Sequence, residues 1–285
     1  MEIDNAQRAS ILIEALPNIQ EYYNKVVVVK YGGNAMIDDE LKQAVMGDIV
    51  LLSLVGVKVV LVHGGGPEIS DMLTKIGKKS EFIDGLRVTD KETMDVVQMI
   101  LSGKVNKDLV KLIQTKGGNA IGLCGADGAM IKAKPLDKKY GFVGEVTAVD
   151  PEPIIGVLDY NYIPVVSTIG IDDEGNSYNI NADTAAAAIA SELKAECLIT
   201  LTDIDGIMLD KDDPKTLIKT MKTSDAPKLI ERGVISGGMI PKVKGCVEAI
   251  EKGVHKIFII DGRIPHSILI ETLTEEGLGT MIIKG

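Results

Sequence analysis

Lys30 closes a run of four valines, Val26 to Val29, and is followed by Tyr31, Gly32 and Gly33. Four consecutive valines leave no alternate position polar, so they predict a strand buried on both faces. A cation and two glycines at the carboxyl end of such a strand stand where open α/β sheets hold ligands. Glycine lets backbone N–H groups approach an anion, and lysine adds a full charge beside them. A strand-end lysine reaching water past an ordinary turn is the plainer alternative. A second glycine-then-lysine element runs from Ser236 through Gly237, Gly238, Met239, Ile240 and Pro241 to Lys242, and opens a helical pattern through Cys246, Val247 and Ile250. A lysine in the first turn of a helix opposes the macrodipole unless an anion sits there too.

A third run, Gly64-Gly65-Gly66-Pro67, follows another apolar strand pattern and starts another helix. Pro67 suits a first helical turn, and the helix N-terminus favours negative charge. A tight turn needing positive φ would explain one glycine, but three point to an anion. Asn179, Asn181 and Asp183 alternate, so an extended segment would put two amides and a carboxylate on one face. Asp183 could instead cap the alanine-rich helix that follows. Arg87 stands between Gly85-Leu86 and Val88, where a guanidinium could fork onto a substrate carboxylate or simply be solvated. Two lysines, glycine-rich anion turns and one central aspartate form a phosphoryl-transfer constellation, chemistry that needs positioning and charge neutralisation above all. No His or Cys stands out as a nucleophile.

The elements that must position these residues alternate. Strands are predicted at 26–30, 57–63, 119–124, 163–168, 197–202, 256–260 and 280–283. Helices are predicted at 39–54, after Pro67, from Met94 through Leu112, after Asp183 to about 194, and at 225–232, 239–252 and 266–274. Region 125–149 reads as hairpins. Near-continuous apolar strands with intervening helices predict an α/β fold, a mainly parallel central sheet between helical layers. Residues 5–23 add a helix kinked by Pro17 whose apolar face needs a partner. The expected division is 1–24 for this helix, 25–190 for a first lobe and 191–285 for a second, sharing one sheet.

The 285 residues are 45% hydrophobic and carry a formal net charge of −10, which argues against nucleic acid as a partner. Cys124, Cys197 and Cys246 are widely spaced in apolar runs, so buried free thiols in a reducing compartment are expected. No apolar run is long enough to span a bilayer, and a cytoplasmic location is expected. Three histidines without a cluster make a protein-built metal site unexpected. Neither the dinucleotide nor the P-loop glycine fingerprint occurs.

With these residues in hand, the chain resembles the amino-acid kinase family over essentially its whole length. The resemblance rests on Val-Lys-Tyr-Gly-Gly, Val-His-Gly-Gly-Gly-Pro, Asn-Ile-Asn-Ala-Asp, Leu-Thr-Asp-Ile-Asp-Gly and Gly-Gly-Met-Ile-Pro-Lys, in that order. Within the family it is similar to the branch that phosphorylates the γ-carboxylate of N-acetyl-L-glutamate with MgATP in arginine biosynthesis. The resemblance implies a three-layer αβα sandwich with the acylated amino acid in the first lobe and ATP in the second. It implies that Lys30 and Lys242 flank the phosphoryl group and that Asp183 holds both lysines. Gly32, Gly33 and Gly65 would offer N–H groups to phosphates. Gly65, Gly66, Arg87, Asn179 and Asn181 would bind the substrate. Asp203, Gly206, Ser236 and Gly238 would border the nucleotide, with Mg2+ held by phosphates and water.

The ends of the chain resemble the arginine-inhibited members. His266, Leu269 and Glu271, then Gly277, Gly279 and Thr280, match their C-terminal pattern, and the N-terminal helix ends in Tyr22-Tyr23. The resemblance implies L-arginine as inhibitor, bound near Tyr23, His266, Glu271 and Gly279, and a homohexamer built from three dimers with interlaced helices. Alternatives are a kinase for glutamate, aspartate or carbamate, which Arg87 and Asn179 oppose. A silent arginine sensor would have to lose Lys30, Asp183 or Lys242. A nicotinamide-dependent reductase would need the missing fingerprint.

Overall fold

The computed structural model describes residues 4–211 and 213–285. Asp4 and Gln7 close a capping box at the start of α1 (Asn5–Glu14). Ala15 separates it from α2 (Leu16–Tyr22), whose first turn carries Pro17, so the predicted kink is a break between two helices. No residue of α1 is buried, and Ile11, Leu12 and Ile13 are exposed. In contrast α2 is part of the body. Tyr22 is buried, and Lys256 pairs with Glu21 while lying 4.7 Å from the Tyr22 ring centre.

Then βα units follow in order. β1 (Val26–Tyr31), α3 (Asp39–Leu54), β2 (Lys58–His63) and α4 (Gly66–Lys75) lead to a small hairpin, β3 (Phe82–Ile83) and β4 (Leu86–Arg87). The long predicted helix is α5 (Lys91–Gln98), a π-helical segment Met99–Val105 and α6 (Asn106–Thr115). β5 (Ala120–Cys124), β6 (Ile131–Pro135) and β7 (Gly144–Val149) precede α7 (Glu152–Asp159), which the sequence reading left unassigned. β8 (Ile163–Ser167), β9 (Ile169–Ile171) and β10 (Ser177–Asn179) lead to α8 (Ala182–Glu192) and β11 (Cys197–Thr202). The last elements are β12 (Thr220–Lys222), also unassigned from sequence, α9 (Ala226–Glu231), α10 (Met239–Glu251), β13 (Lys256–Asp261), α11 (Ser267–Leu273) and β14 (Thr280–Ile283).

One eight-stranded sheet has the order β12-β14-β13-β11-β1-β2-β8-β5. Its strands from β13 to β5 pair in parallel, and β14 runs antiparallel to β13. A four-stranded accessory sheet, β10-β9-β6-β7, holds the predicted hairpin region. The pleat divides β1 between two cores. Val27, Val29 and Tyr31 join the core under α3, α5, α6 and α11, while Val28 joins the one under α7, α8 and α10. Burying both faces of such a strand is what makes valine repetition profitable, at about 1.5–3 kcal/mol per side chain. Lys30 therefore emerges on the α8–α10 side at the sheet's carboxyl edge. Cys197 and Cys246 are buried free thiols as expected, whereas Cys124 at the end of β5 is only half-buried. Among the described residues no helix is long and apolar enough to cross a membrane.

Candidate active site

Lys30 and Lys242 reach one carboxylate from different elements. Lys30 Nζ, at the end of β1, lies 3.1 Å from Asp183 Oδ1. Lys242 Nζ, in the first turn of α10, donates to Asp183 Oδ2 at 2.9 Å. Burial alone would push the Asp183 carboxyl up, but the charges of Lys30 and Lys242 outweigh it and hold it below the usual carboxylate range. The anion that a first-turn lysine needs is thus Asp183 itself. Both side chains are largely buried, 11% and 17% exposed, and Lys242 and Asp183 line a cavity of about 760 Å³ between β7, α8 and α10.

The capping alternative for Asp183 does not hold. Asn181 is the N-cap of α8, its Oδ1 accepting from the N–H groups of Asp183 and Thr184 at 2.9 and 3.1 Å. Asp183 is left to the lysines. The expected extended segment 179–183 is corrected as well, because Asn179 ends β10 and Asp183 already belongs to α8, so alternation does not align them. Asn179 Nδ2 instead donates to Thr89 Oγ1 at 3.3 Å, and Thr89 Oγ1 donates to the carbonyl of Arg87 at 2.8 Å.

Arg87 is no surface residue: it is 7% exposed on β4. Its guanidinium donates to Ser80 Oγ at 2.6 Å, Ser70 Oγ at 2.8 Å and the Gly66 carbonyl at 2.9 Å, and lies 4.7 Å from the Phe82 ring centre. Burial pulls its pKa down. No carboxylate among the described residues pairs with it. A buried cation held only by neutral groups next to a glycine loop is a site for an external anion.

The triple-glycine turn differs from the simple expectation. None of Gly64, Gly65 and Gly66 adopts the left-handed conformation, and Gly65 is extended with φ 173°. Gly65 is needed for space, since a Cβ there would sit 2.6 Å from Leu101 Cδ2 in the π-helical segment. Nothing stands within 4 Å of a Cβ at Gly66. Gly33 does need its freedom, with φ +70° and Asp203 Oδ1 3.2 Å from a would-be Cβ, which places Asp203 against the Gly32-Gly33 turn. Gly206 is buried, with φ +142°, and a Cβ there would stand 2.8 Å from Leu217 and Thr280 side-chain atoms. Ser236 and Gly238 lie in an open, exposed turn before α10.

At the other end, Glu271 Oε2 accepts from the N–H groups of Leu278 and Gly279 at 2.6 and 3.0 Å. His266, with φ +60°, sets its Nδ1 2.6 Å from Asp48 Oδ1, a fully buried carboxylate of α3. Burial raises the Asp48 pKa, against the pull of His266. Tyr23 does not join them: it is 64% exposed and its ring fills the space over Gly56. The aromatic of α2 that belongs to the same buried core as Ile268 and Leu273 of α11 is Tyr22, and the two helices are in contact.

A parallel sheet whose carboxyl edge carries two carboxylate-locked lysines and glycine-rich anion turns is built for phosphoryl transfer. The amino acid kinase family profile matches residues 25–261, and the chain belongs to that family. Its relatives are particular kinases. It is 57% identical over 284 residues to the acetylglutamate kinase of Brachyspira hyodysenteriae, covering 99% of each chain. To that of Heliobacterium modesticaldum it is 53% identical over 292 residues, covering 98% of each. Among solved structures it is similar to N-acetylglutamate synthase from Neisseria gonorrhoeae, with a TM-score of 0.84 and 27% identity, covering 97% of this chain and 63% of the synthase. The chain is an enzyme, a kinase.

Proposed function

We propose that the chain transfers the γ-phosphoryl group of ATP to the γ-carboxylate of N-acetyl-L-glutamate in arginine biosynthesis. The observation that carries this reading is the pairing of a carboxylate-locked lysine couple with Arg87, a buried cation lacking an acidic partner among the described residues. A carboxylate oxygen attacks the γ-phosphorus in line, the bond to the bridging oxygen breaks, and ADP leaves with that electron pair. Lys30 and Lys242 neutralise the charge spread over the group in flight, and Asp183 keeps both in register. Arg87 binds the α-carboxylate, with Asn179 beside it. Gly32 and Gly33 approach the nucleotide phosphates near Asp203. Magnesium enters with the ATP phosphates and is held by them and by water.

The finer proposals are regulatory. L-arginine binds between the N-terminal helices and the α11 segment, near His266, Glu271 and Gly279, and inhibits. Support comes from the neighbouring gonococcal synthase, solved with coenzyme A and L-arginine, which has a TM-score of 0.80 and 25% identity. The exposed apolar side of α1 interlaces with that of another subunit in a hexamer, and residues 25–190 and 191–285 act as two lobes for substrate and nucleotide. ADP release measured side by side with N-acetyl-L-glutamate, L-glutamate, L-aspartate and carbamate tests the reading. Turnover with N-acetyl-L-glutamate alone is expected, and preference for another acceptor refutes it.

A further inference from the structure

His63 ends β2 immediately before the triple glycine and is fully buried. Its Nδ1 lies 2.8 Å from the Gly64 carbonyl oxygen, and its Nε2 lies 3.1 Å from Asn106 Nδ2. The proton's place follows from the neighbours. Lys107 Nζ, a donor only, bonds Asn106 Oδ1 at 3.0 Å. Asn106 Nδ2 faces the carbonyls of Val165, at 2.8 Å, and Leu123, at 3.3 Å, as well, its two hydrogens shared among three acceptors, and as an amide nitrogen it cannot itself accept. The amide orientation is therefore fixed, Nε2 of His63 must accept, and Nδ1 must carry the hydrogen it donates to Gly64. Burial agrees, bringing the His63 pKa down to about 4 and keeping the ring neutral.

A trans peptide holds its C=O and N–H on opposite sides. Pinning the Gly64 carbonyl against His63 turns the Gly65 N–H away from His63. Gly64 lies 3.5 Å, measured from a would-be Cβ, from Ala182, the residue before Asp183. On the other flank, Leu101 and Val105 of the π-helical segment occupy the space that a Cβ at Gly65 would take. Such segments recur at functional sites, and Asn106, the residue after this one, ties it to β2, β5 and β8.

We propose that His63 is a positioning residue for phosphoryl transfer, holding the Gly64–Gly65 peptide so that the Gly65 N–H faces the transferring phosphoryl group. This rests on the kinase reading of the site given above. A preset donor strengthens where charge develops, without reorganisation.

Two substitutions separate the ring's two bonds. In His63→Asn the amide stands in for Nδ1 and can still hold Gly64. In His63→Gln it stands in for Nε2 and can meet only Asn106. The expected kcat of His63→Asn is within about threefold of wild type, while that of His63→Gln falls roughly ten- to a hundredfold, with KM for ATP unchanged. His63→Gln should also lose binding of aluminium fluoride with MgADP and N-acetyl-L-glutamate, a mimic of the group in flight. Equal kcat in both variants overturns the proposal, as does an Nε2–H tautomer of His63 in nitrogen-15 spectra of the unmodified enzyme, which need no folded variant. Lys30→Ala serves as the separate control. If it keeps wild-type kcat the site reading itself fails, whereas an inactive Lys30→Ala beside equal His63 variants removes only the positioning role.

Discussion

Replacing Asp183 by Asn keeps the shape of the residue and removes the one negative charge between Lys30 and Lys242. Each charge-assisted bond lost is worth about 1.5–3 kcal/mol, and the amide can accept from only one of the two ammonium groups. Lysines freed from their register no longer meet the phosphoryl group in place, and misplacement by about 1 Å can cost 10²-fold. A fall in kcat of about 10²- to 10³-fold is expected, the range seen for a lost oxyanion donor. ATP binding should move the other way. A unit charge at about 4 Å is worth about 4 kcal/mol at a near-surface dielectric, and solvent screening reduces that, so KM for ATP should stay level or drop modestly. Stability should separate the variants by pH. Because the folded carboxyl titrates below its unfolded counterpart, its stabilisation is present above about pH 4 and is lost as pH falls through the folded pKa. The gap in melting temperature between wild type and Asp183→Asn should therefore close in acid. Steady-state kinetics with both substrates varied, plus melting curves from pH 7 to pH 3, make the assay. A kcat within threefold of wild type, or a KM for ATP that rises with an unchanged kcat, refutes the reasoning.

Arg87→Lys keeps the charge but cannot serve Ser70, Ser80 and a carboxylate together; KM for N-acetyl-L-glutamate should rise roughly ten- to a hundredfold, with KM for ATP unchanged in the same kinetic runs. Deleting residues 1–15 removes a helix that buries nothing, so kcat should hold while light scattering shows smaller assemblies and arginine inhibition disappears; an unchanged assembly refutes the interlaced-helix proposal. His266→Ala strips the buried Asp48 carboxylate of its partner and should lower the melting temperature by several degrees at neutral pH. Because the Asp48 pKa is raised, that loss should ease as pH falls and the carboxyl takes up a proton, which melting curves against pH will check.

That Lys30, Asp183 and Lys242 meet was legible because each breaks a local rule. Lys30 ended an all-valine strand, Lys242 stood against a helix dipole, and Asp183 followed two amides that one cap could not explain. Sequence did not reveal which of Asn181 and Asp183 caps α8, since both residue types cap well and only the φ of position 181 decides. The π-helical segment was invisible because a shift from i+4 to i+5 bonding barely alters apolar spacing, and Met94 through Leu112 still reads as one helix. Ser70 and Ser80 carry no signal either: their importance comes from Arg87 arriving between them on β4. His63 was read only as a strand end, since its partner Asn106 lies far along the chain. Which of Tyr22 and Tyr23 is buried was not legible either, because neighbours in sequence differ only in which way the end of α2 turns them.

The place of β1 in the sheet has a consequence for synthesis. It lies between β2, the next strand in the chain, and β11, which pairs Val27 with Cys197 and Lys30 with Thr200. Until β11 leaves the ribosome, one edge of a Val-Val-Val-Val strand has no partner. Such an edge, apolar and free of proline, is a template for pairing between chains. Nascent or truncated chains that stop before β11 are therefore the ones exposed to aggregation, and the long-range β1–β11 closure is what protects them.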